Sequence, residues 1–203
     1  MKPLKFIHIT KTGGTSIEDC AIEKNIRFGR FHLKYRSLLY PRANTQYHCF
    51  FPDIPESLRT QNDWFMVVRN PYDRILSEYH CEWGGSDKYG FKNNAQNQCV
   101  DKMNQYIQTC ILNRNPKGDH YSEQYKYLDS SENVKIHIIK FENLKKDFNA
   151  LMKQYNIDLT LNIHHNKNVK RFSVSDFSKT TIELINSIYE PDFRLFGYEM
   201  ITT

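Results

Sequence analysis

The sequence predicts an α/β fold built on a mainly parallel β-sheet of about four to five strands flanked by helices. Three apolar runs indicate buried strands, and a helical spacing of apolar residues follows each one. The runs are LKFIHI at 4–9, WFMVV at 64–68 and VKIHIIKF at 134–141. WFMVV is continuously apolar, which is typical of a strand covered on both faces. At 203 residues, the chain is expected to form one domain over 1–203.

Further elements follow from local signals. HCFF at 48–51 predicts a short additional strand, which Pro52 ends. Asn70 is a good helix cap and Pro71 suits the first helical position, so a helix should start there. Glu190-Pro191 is expected to end the last helix, and the residues from 193 to 198 should pack as an aromatic tail. The other predicted helices cover 17–25, 98–113, 142–155 and 178–189.

Composition narrows the function classes. There are 28 basic and 23 acidic residues, a net charge of +5, which suits an anionic ligand but lacks the clustering of a nucleic-acid binder. The five cysteines form no C-x-x-C pair, so we expect free thiols and no zinc site, although one bridge among Cys81, Cys99 and Cys110 stays open. No apolar run indicates a signal peptide or a membrane anchor, so a soluble, intracellular protein without membrane insertion is expected.

The turn between the first strand and its helix carries the sharpest functional signal. It has the sequence TKTGGTS at 10–16. Its glycines allow close approach to a ligand, Thr15 and Ser16 are candidate helix caps, and Lys11 adds charge at the positive end of the helix dipole. These features predict a phosphate-type anion site, although a plain βα turn would also use glycines for geometry. The lysine precedes the glycines, which disfavours a Walker A loop, and the glycine spacing is not that of a dinucleotide fold.

A second strand–turn–helix unit also carries polar groups at the carboxyl end of its strand. Arg69 follows the apolar run at 64–68, and Arg74 and Ser77 lie three residues apart on the predicted helix. In open α/β sheets, ligands bind at the carboxyl ends of the strands. The sequence therefore predicts that both units contribute to one binding edge.

FIHITKTGGTSIE and FMVVRNPYDRILSEY together resemble the PAPS-dependent sulfotransferases. They are most similar to the carbohydrate branch, such as heparan sulfate O-sulfotransferases and their bacterial and viral relatives. The resemblance implies a P-loop-like three-layer fold, 3′-phosphoadenosine 5′-phosphosulfate (PAPS) as donor, 3′-phosphoadenosine 5′-phosphate (PAP) as product, and no metal. It also implies an acceptor hydroxyl, on a glycan in the branch that the motifs resemble.

By this resemblance, the first loop binds the 5′-phosphosulfate, and an arginine and a serine of the second unit bind the 3′-phosphate. Arg69 and Ser77 have the eight-residue spacing of that pattern. The segment HYSEQYKYL at 120–128 resembles a family segment near the acceptor groove, and IYEPDFRLFGYE resembles the family's tail. The residues implied for the first loop are Lys11, Thr12, Gly13, Gly14, Thr15 and Ser16.

An acceptor hydroxyl needs a base, and the chain offers eight histidines. His48 is the leading candidate, since related carbohydrate sulfotransferases place a catalytic histidine ahead of the arginine strand; packing beside its aromatic neighbours is the alternative. Lys11 would stabilise charge on the leaving phosphate. His8 and His137 belong to predicted strands and are expected to be structural, and His80 lies away from the strand edge. The remaining candidate bases are His32, His120, Glu18 and Glu123.

Two other functions stay open on the sequence alone. One is a nucleotide-dependent phosphotransferase with an atypical phosphate loop, and the other is a nucleotide-binding module without catalysis. The basic segment with Lys167, Lys170 and Arg171 either closes over the donor, attracts an acidic acceptor, or forms a solvated face.

Overall fold

The computed structural model describes residues 1–26, 28, 50–81, 99–115, 120–128, 134–162 and 171–203. Within these ranges, strands span Leu4–Ile7 (β1), Asp63–Val68 (β2) and Ile136–Lys140 (β3). The α-helices are Gly14–Glu23 (α1), Glu56–Gln61 (α2), Pro71–Tyr79 (α3), Val100–Leu112 (α4), Leu144–Gln154 (α5), Lys179–Ile188 (α6) and Glu190–Phe196 (α7). Single 3₁₀ turns cover Phe51–Asp53, Gln124–Tyr127, Phe141–Asn143 and Val174–Asp176.

The sheet is parallel, in the order β1-β2-β3, so the α/β prediction is confirmed. All six residues of β2 are buried, as its continuous apolar sequence predicted. In the described part of the chain, the sheet has three strands, fewer than predicted. Because the strands are parallel, their carboxyl ends meet at one edge, where the segments after Ile7, Val68 and Lys140 begin.

The chain divides into two compact units, and the prediction of one domain over 1–203 stays a prediction. The first unit comprises Met1–Arg69, Lys117–Asp119 and Lys126–His165. It contains the sheet and a core that α1 and α5 complete. Phe65 of β2 stacks on Phe6 of β1, with ring centroids 4.8 Å apart. Other members of this core are Leu4, Ile17, Ala21, Val67, Ile139, Phe148, Leu151 and Met152.

The second unit comprises Asn70–Pro116, His120–Tyr125 and Asn166–Thr203. Its apolar core joins α3, α4, α6 and α7 through Ile75, Leu76, Met103, Ile107, Ile111, Ile185, Tyr189 and Phe193. Asn70 caps α3 as predicted, because its side chain accepts a hydrogen bond from the Tyr72 amide at 3.0 Å. None of the described helices is long and apolar enough to cross a bilayer.

Several predicted boundaries are wrong for identifiable reasons. Phe51 starts a 3₁₀ turn instead of ending a strand, while His48 and Cys49 lie outside the described residues. The last predicted helix, α6, ends at Ile188, just before Glu190-Pro191 as predicted, but Pro191 also lies in the first turn of a further helix, α7, where proline is well accommodated. The predicted aromatic tail is therefore helical as far as Phe196. The described cysteines are free thiols, as expected: Cys20, Cys81, Cys99 and Cys110.

Candidate anion site at the sheet edge

The loop after β1 turns sharply through two left-handed residues. Lys11 has φ 61° and Gly13 has φ 86° with ψ 11°, and α1 begins immediately afterwards at Gly14. Gly13 itself is the cap of α1, so the predicted capping by Thr15 or Ser16 is wrong. Any other residue at position 13 would be strained by the positive φ. Its Cβ would in addition lie 2.9 Å from Leu144 Cδ2 and 3.1 Å from Phe141 Cε2.

Thr12 closes this turn from inside. Its side chain is fully buried, and its hydroxyl donates a hydrogen bond to the Ile9 carbonyl at 2.8 Å. The hydroxyl proton is therefore used within the protein. The loop can present Thr12 to an anion through its backbone more readily than through this donor.

The N-terminus of α1 supplies backbone donors. The first bond within the helix runs from the Ile17 amide to the Gly13 carbonyl at 3.3 Å, which leaves the preceding amides of Gly14, Thr15 and Ser16 outside the helical ladder. The first turn of α1 contains no acidic residue, so no carboxylate there offsets the positive end of the helix dipole. Thr15 is exposed, whereas Ser16 is buried. Together with half-buried Lys11, these groups make the start of α1 a candidate anion site.

Arg69 lies against this loop. It follows β2, and the parallel register places it beside the segment that follows β1. Its Nη1 donates a hydrogen bond to the Lys11 carbonyl at 3.1 Å, and its guanidinium stacks on the Phe141 ring at 4.2 Å. The side chain is largely buried. The structure thus brings Arg69 and the glycine loop together, as the sequence predicted.

A pair that the sequence reasoning missed lies on the inner side of the loop. His8 follows β1, and its Nδ1 lies 2.9 Å from Glu18 Oε1 on α1. Both side chains are largely buried, at 11% and 4% exposure. His8 was predicted to be structural and Glu18 to be a weak candidate base. Each side chain is a hydrogen-bond partner of the other, and their separation of ten residues gave no periodic signal in the sequence.

The other predicted site residues lie elsewhere or outside the described ranges. Ser77 is half-buried on α3, in the second unit. Within that unit, His120 Nδ1 lies 2.9 Å from buried Glu78, and Arg114 pairs with Glu123 at 2.9 Å. The residues outside the described ranges are His48, His32, Lys167 and Lys170.

A buried polar network in the second unit holds the segment from 120 to 125. Arg74 donates hydrogen bonds to the carbonyls of His120 at 3.1 Å and Ser122 at 2.6 Å. Asp192 accepts from the Gln124 and Tyr125 amides at 2.8 and 2.7 Å. The sequence singled out the segment by its resemblance to a family segment. Its partners Arg74 and Asp192 are too distant along the chain to be inferred from residue spacing.

Two further histidines have structural roles. His80 is buried at the end of α3; its Nδ1 donates to the Leu76 carbonyl at 2.8 Å, and its Nε2 accepts from the Arg171 amide at 3.2 Å. His137 in β3 lies 2.8 Å from the Tyr155 hydroxyl, which donates to Asp63 at 2.8 Å. Burial, with Lys135 nearby, lowers the His137 pKa. In the ranges that the structure describes, no cluster of three or more histidine, cysteine or carboxylate side chains could hold a metal ion.

The comparisons with known proteins agree with this arrangement. The family model described as "Sulfotransferase family" matches residues 2–199, which is nearly the whole chain. No curated protein matches it. On the strength of that match, and of the α/β fold that carries the glycine loop and Arg69 at one sheet edge, the chain belongs to the sulfotransferase family.

Proposed function

We propose that this protein transfers the sulfuryl group of PAPS to an acceptor hydroxyl on a carbohydrate. The observation that carries the proposal is the contact between Arg69 and the glycine loop at the carboxyl edge of β1 and β2. Membership of the sulfotransferase family implies sulfuryl transfer in general. The identity of the donor and the class of acceptor go beyond that membership and rest on the motifs.

The residues present fit an anionic donor. The start of α1 offers backbone amides with no acidic side chain in the first turn, and Lys11 stands in the loop just before them. Backbone amides at a helix N-terminus and a lysine suit a tetrahedral phosphate or phosphosulfate group. We assign the 5′ end of PAPS to this loop, that is, to Lys11, Thr12, Gly13, Gly14, Thr15 and Ser16.

The 3′-phosphate is assigned to Arg69 and Ser77. A guanidinium can hold phosphate oxygens in a forked contact that an ammonium group cannot reproduce. Arg69 keeps its plane fixed by stacking on Phe141 while one nitrogen donates to the Lys11 carbonyl. A preorganised cation of this kind costs little reorganisation when an anion binds.

The chemistry is expected to rely on positioning and charge. PAPS supplies an activated sulfuryl group whose departure leaves negative charge on a phosphate. By analogy with phosphoryl transfer, Lys11 and the amides at the start of α1 stabilise that charge, and one such contact contributes about 3 kcal/mol to lowering the barrier. No metal is invoked for this step.

A histidine is proposed to take the proton of the acceptor hydroxyl. His48 is the first candidate, on the resemblance to carbohydrate sulfotransferases. His32 and His120 are the next candidates. An imidazole is suited to the role because its ordinary pKa lies near neutral pH.

A transfer assay tests the proposal. The protein is incubated with radiolabelled PAPS and a panel of desulfated glycans, and label in the glycan is measured. Lys11→Ala is expected to lower kcat by about 100-fold. Lys24→Ala is the matched control, because Lys24 is exposed at the opposite end of α1, and it is expected to keep normal turnover.

Replacement of His48, and separately of His32 and His120, identifies the base. Loss of turnover with retained PAP binding is expected for His48→Ala. Unchanged turnover in all three variants would refute the assignment of the base to one of these three histidines. PAP binding without transfer to any acceptor would favour the binding-module alternative, and phosphoryl transfer from ATP would favour the phosphotransferase.

A further inference from the structure

The backbone conformation at Gly14 does not by itself require glycine. It is the first residue of α1 and, unlike Gly13, does not have a positive φ. An alanine would ordinarily be accepted at such a helical position. However, a Cβ on Gly14 would lie 2.2 Å from His8 Nε2, 2.3 Å from His8 Cδ2 and 2.7 Å from His8 Cε1. The imidazole of His8 therefore occupies the space that a side chain at position 14 would need.

The His8 ring is held on its other sides. Its Nδ1 lies 2.9 Å from Glu18 Oε1, and a carboxylate can only accept, so this nitrogen carries the proton. Phe6 stacks on the ring with centroids 5.4 Å apart and an interplanar angle of 29°. If the ring swung away, it would leave the buried Glu18 carboxylate without this partner, which is costly. Displacement of the His8 ring to make room for a side chain at position 14 is therefore unfavourable.

We propose that His8 is a positioning residue of the anion loop. Glu18 and Phe6 fix its imidazole, and the imidazole supports Gly14 and thereby sets the direction of the first amides of α1. Amides that stabilise a developing charge must be held within about 0.5 Å of their productive geometry, which explains a dedicated support beneath them. The identity of the ligand in this inference rests on the proposed function.

A mutant cycle with calorimetric titration of PAP tests the inference. The variants are Gly14→Ala, His8→Asn and the combination of both. His8→Asn keeps an N–H near the position of Nδ1 for Glu18 but removes the ring edge that faces Gly14. We expect Gly14→Ala to weaken PAP binding about tenfold, and the double variant to return within about threefold of His8→Asn alone.

Gly13→Ala is the matched control. Its strain comes from the left-handed φ and from Leu144 and Phe141, not from His8. His8→Asn should therefore give no rescue of Gly13→Ala. Wild-type affinity in Gly14→Ala, or a double variant that binds no better than Gly14→Ala, would overturn the inference.

Urea unfolding of the same variants separates failure of this inference from failure of the proposed function. If the wild type binds no PAP, the proposed donor is wrong, and the unfolding cycle still measures the coupling between His8 and Gly14. Absence of coupling in that cycle would then refute the support role. A purely structural role would change unfolding stability while every folded variant kept wild-type PAP affinity, and this result also contradicts the inference. His8→Ala serves as a second relieving variant if His8→Asn does not fold.

Discussion

Thr12→Val is expected to weaken the anion loop from within. Valine keeps the volume of threonine but lacks the hydroxyl that donates to the Ile9 carbonyl at 2.8 Å. Thr12 is fully buried, so water cannot replace that donor without opening the turn. A buried group left without its partner costs about 1–3 kcal/mol. We therefore expect the free energy of unfolding to fall by about 1–2 kcal/mol and the PAP dissociation constant to rise about threefold to tenfold.

The measurements are urea unfolding followed by tryptophan fluorescence, and calorimetric titration with PAP. Thr12→Ser keeps the hydroxyl, so PAP affinity should stay near the wild-type value even though one buried methyl group is lost, at a cost of about 1 kcal/mol. Thr15→Val tests an exposed threonine of the same loop, and its unfolding free energy should stay within about 0.5 kcal/mol of wild type. An unchanged unfolding free energy in Thr12→Val, or weaker PAP binding in Thr12→Ser than in Thr12→Val, would refute this reasoning.

Three further predictions concern the supporting structure. Tyr155→Phe removes the hydroxyl that donates to Asp63 and should lower the free energy of unfolding in urea by about 1–2 kcal/mol. The control Tyr125→Phe, at another half-buried tyrosine, should lower it by less than about 0.5 kcal/mol, and equal costs would contradict the role of the Tyr155 hydroxyl. Burial lowers the pKa of His137 below 6.5 in the folded protein. The stability that the neutral His137 side chain provides should therefore be present above about pH 6.5 and lost as the pH falls through the folded pKa. The fall in Tm on acidification should be smaller in His137→Gln than in the wild type, and an identical fall would contradict this prediction. Asp192→Asn should cost about 2–4 kcal/mol in unfolding, because the Gln124 and Tyr125 amides donate to different carboxylate oxygens, at 2.8 and 2.7 Å, and asparagine would place an NH2 group against one of them. A cost below about 0.5 kcal/mol would show that the carboxylate is dispensable.

Much of the fold could be predicted because local signals agreed with one another. The three strands have apolar sequences, and the cap of α3 was marked by Asn70-Pro71. The ends of elements were harder to predict. Glu190-Pro191 follows the end of α6, as predicted, but proline is equally compatible with the first turn of a helix, and α7 begins there with Phe193 packed in the second core.

The site was predictable in its residue types and less so in its contacts. Glycine, lysine and hydroxyl residues between a strand and a helix indicate an anion loop, and the parallel sheet brings Arg69 to it. The cap residue was mispredicted because threonine and serine are the commoner caps, whereas Gly13 takes the left-handed conformation that the turn requires. The support of Gly14 by His8 depends on the direction of a side chain after the strand ends, which residue spacing does not reveal.

Calorimetric titration of the wild type and of Arg69→Ala with PAP, with ATP as the control nucleotide, tests the proposed donor site most directly. We expect PAP to bind the wild type in preference to ATP. We also expect Arg69→Ala to raise the PAP dissociation constant by at least about tenfold, since a charge-assisted contact contributes about 1.5–3 kcal/mol. Equal binding of ATP and PAP, no binding of either, or full PAP affinity in Arg69→Ala would contradict the assignment of a PAPS site at this sheet edge.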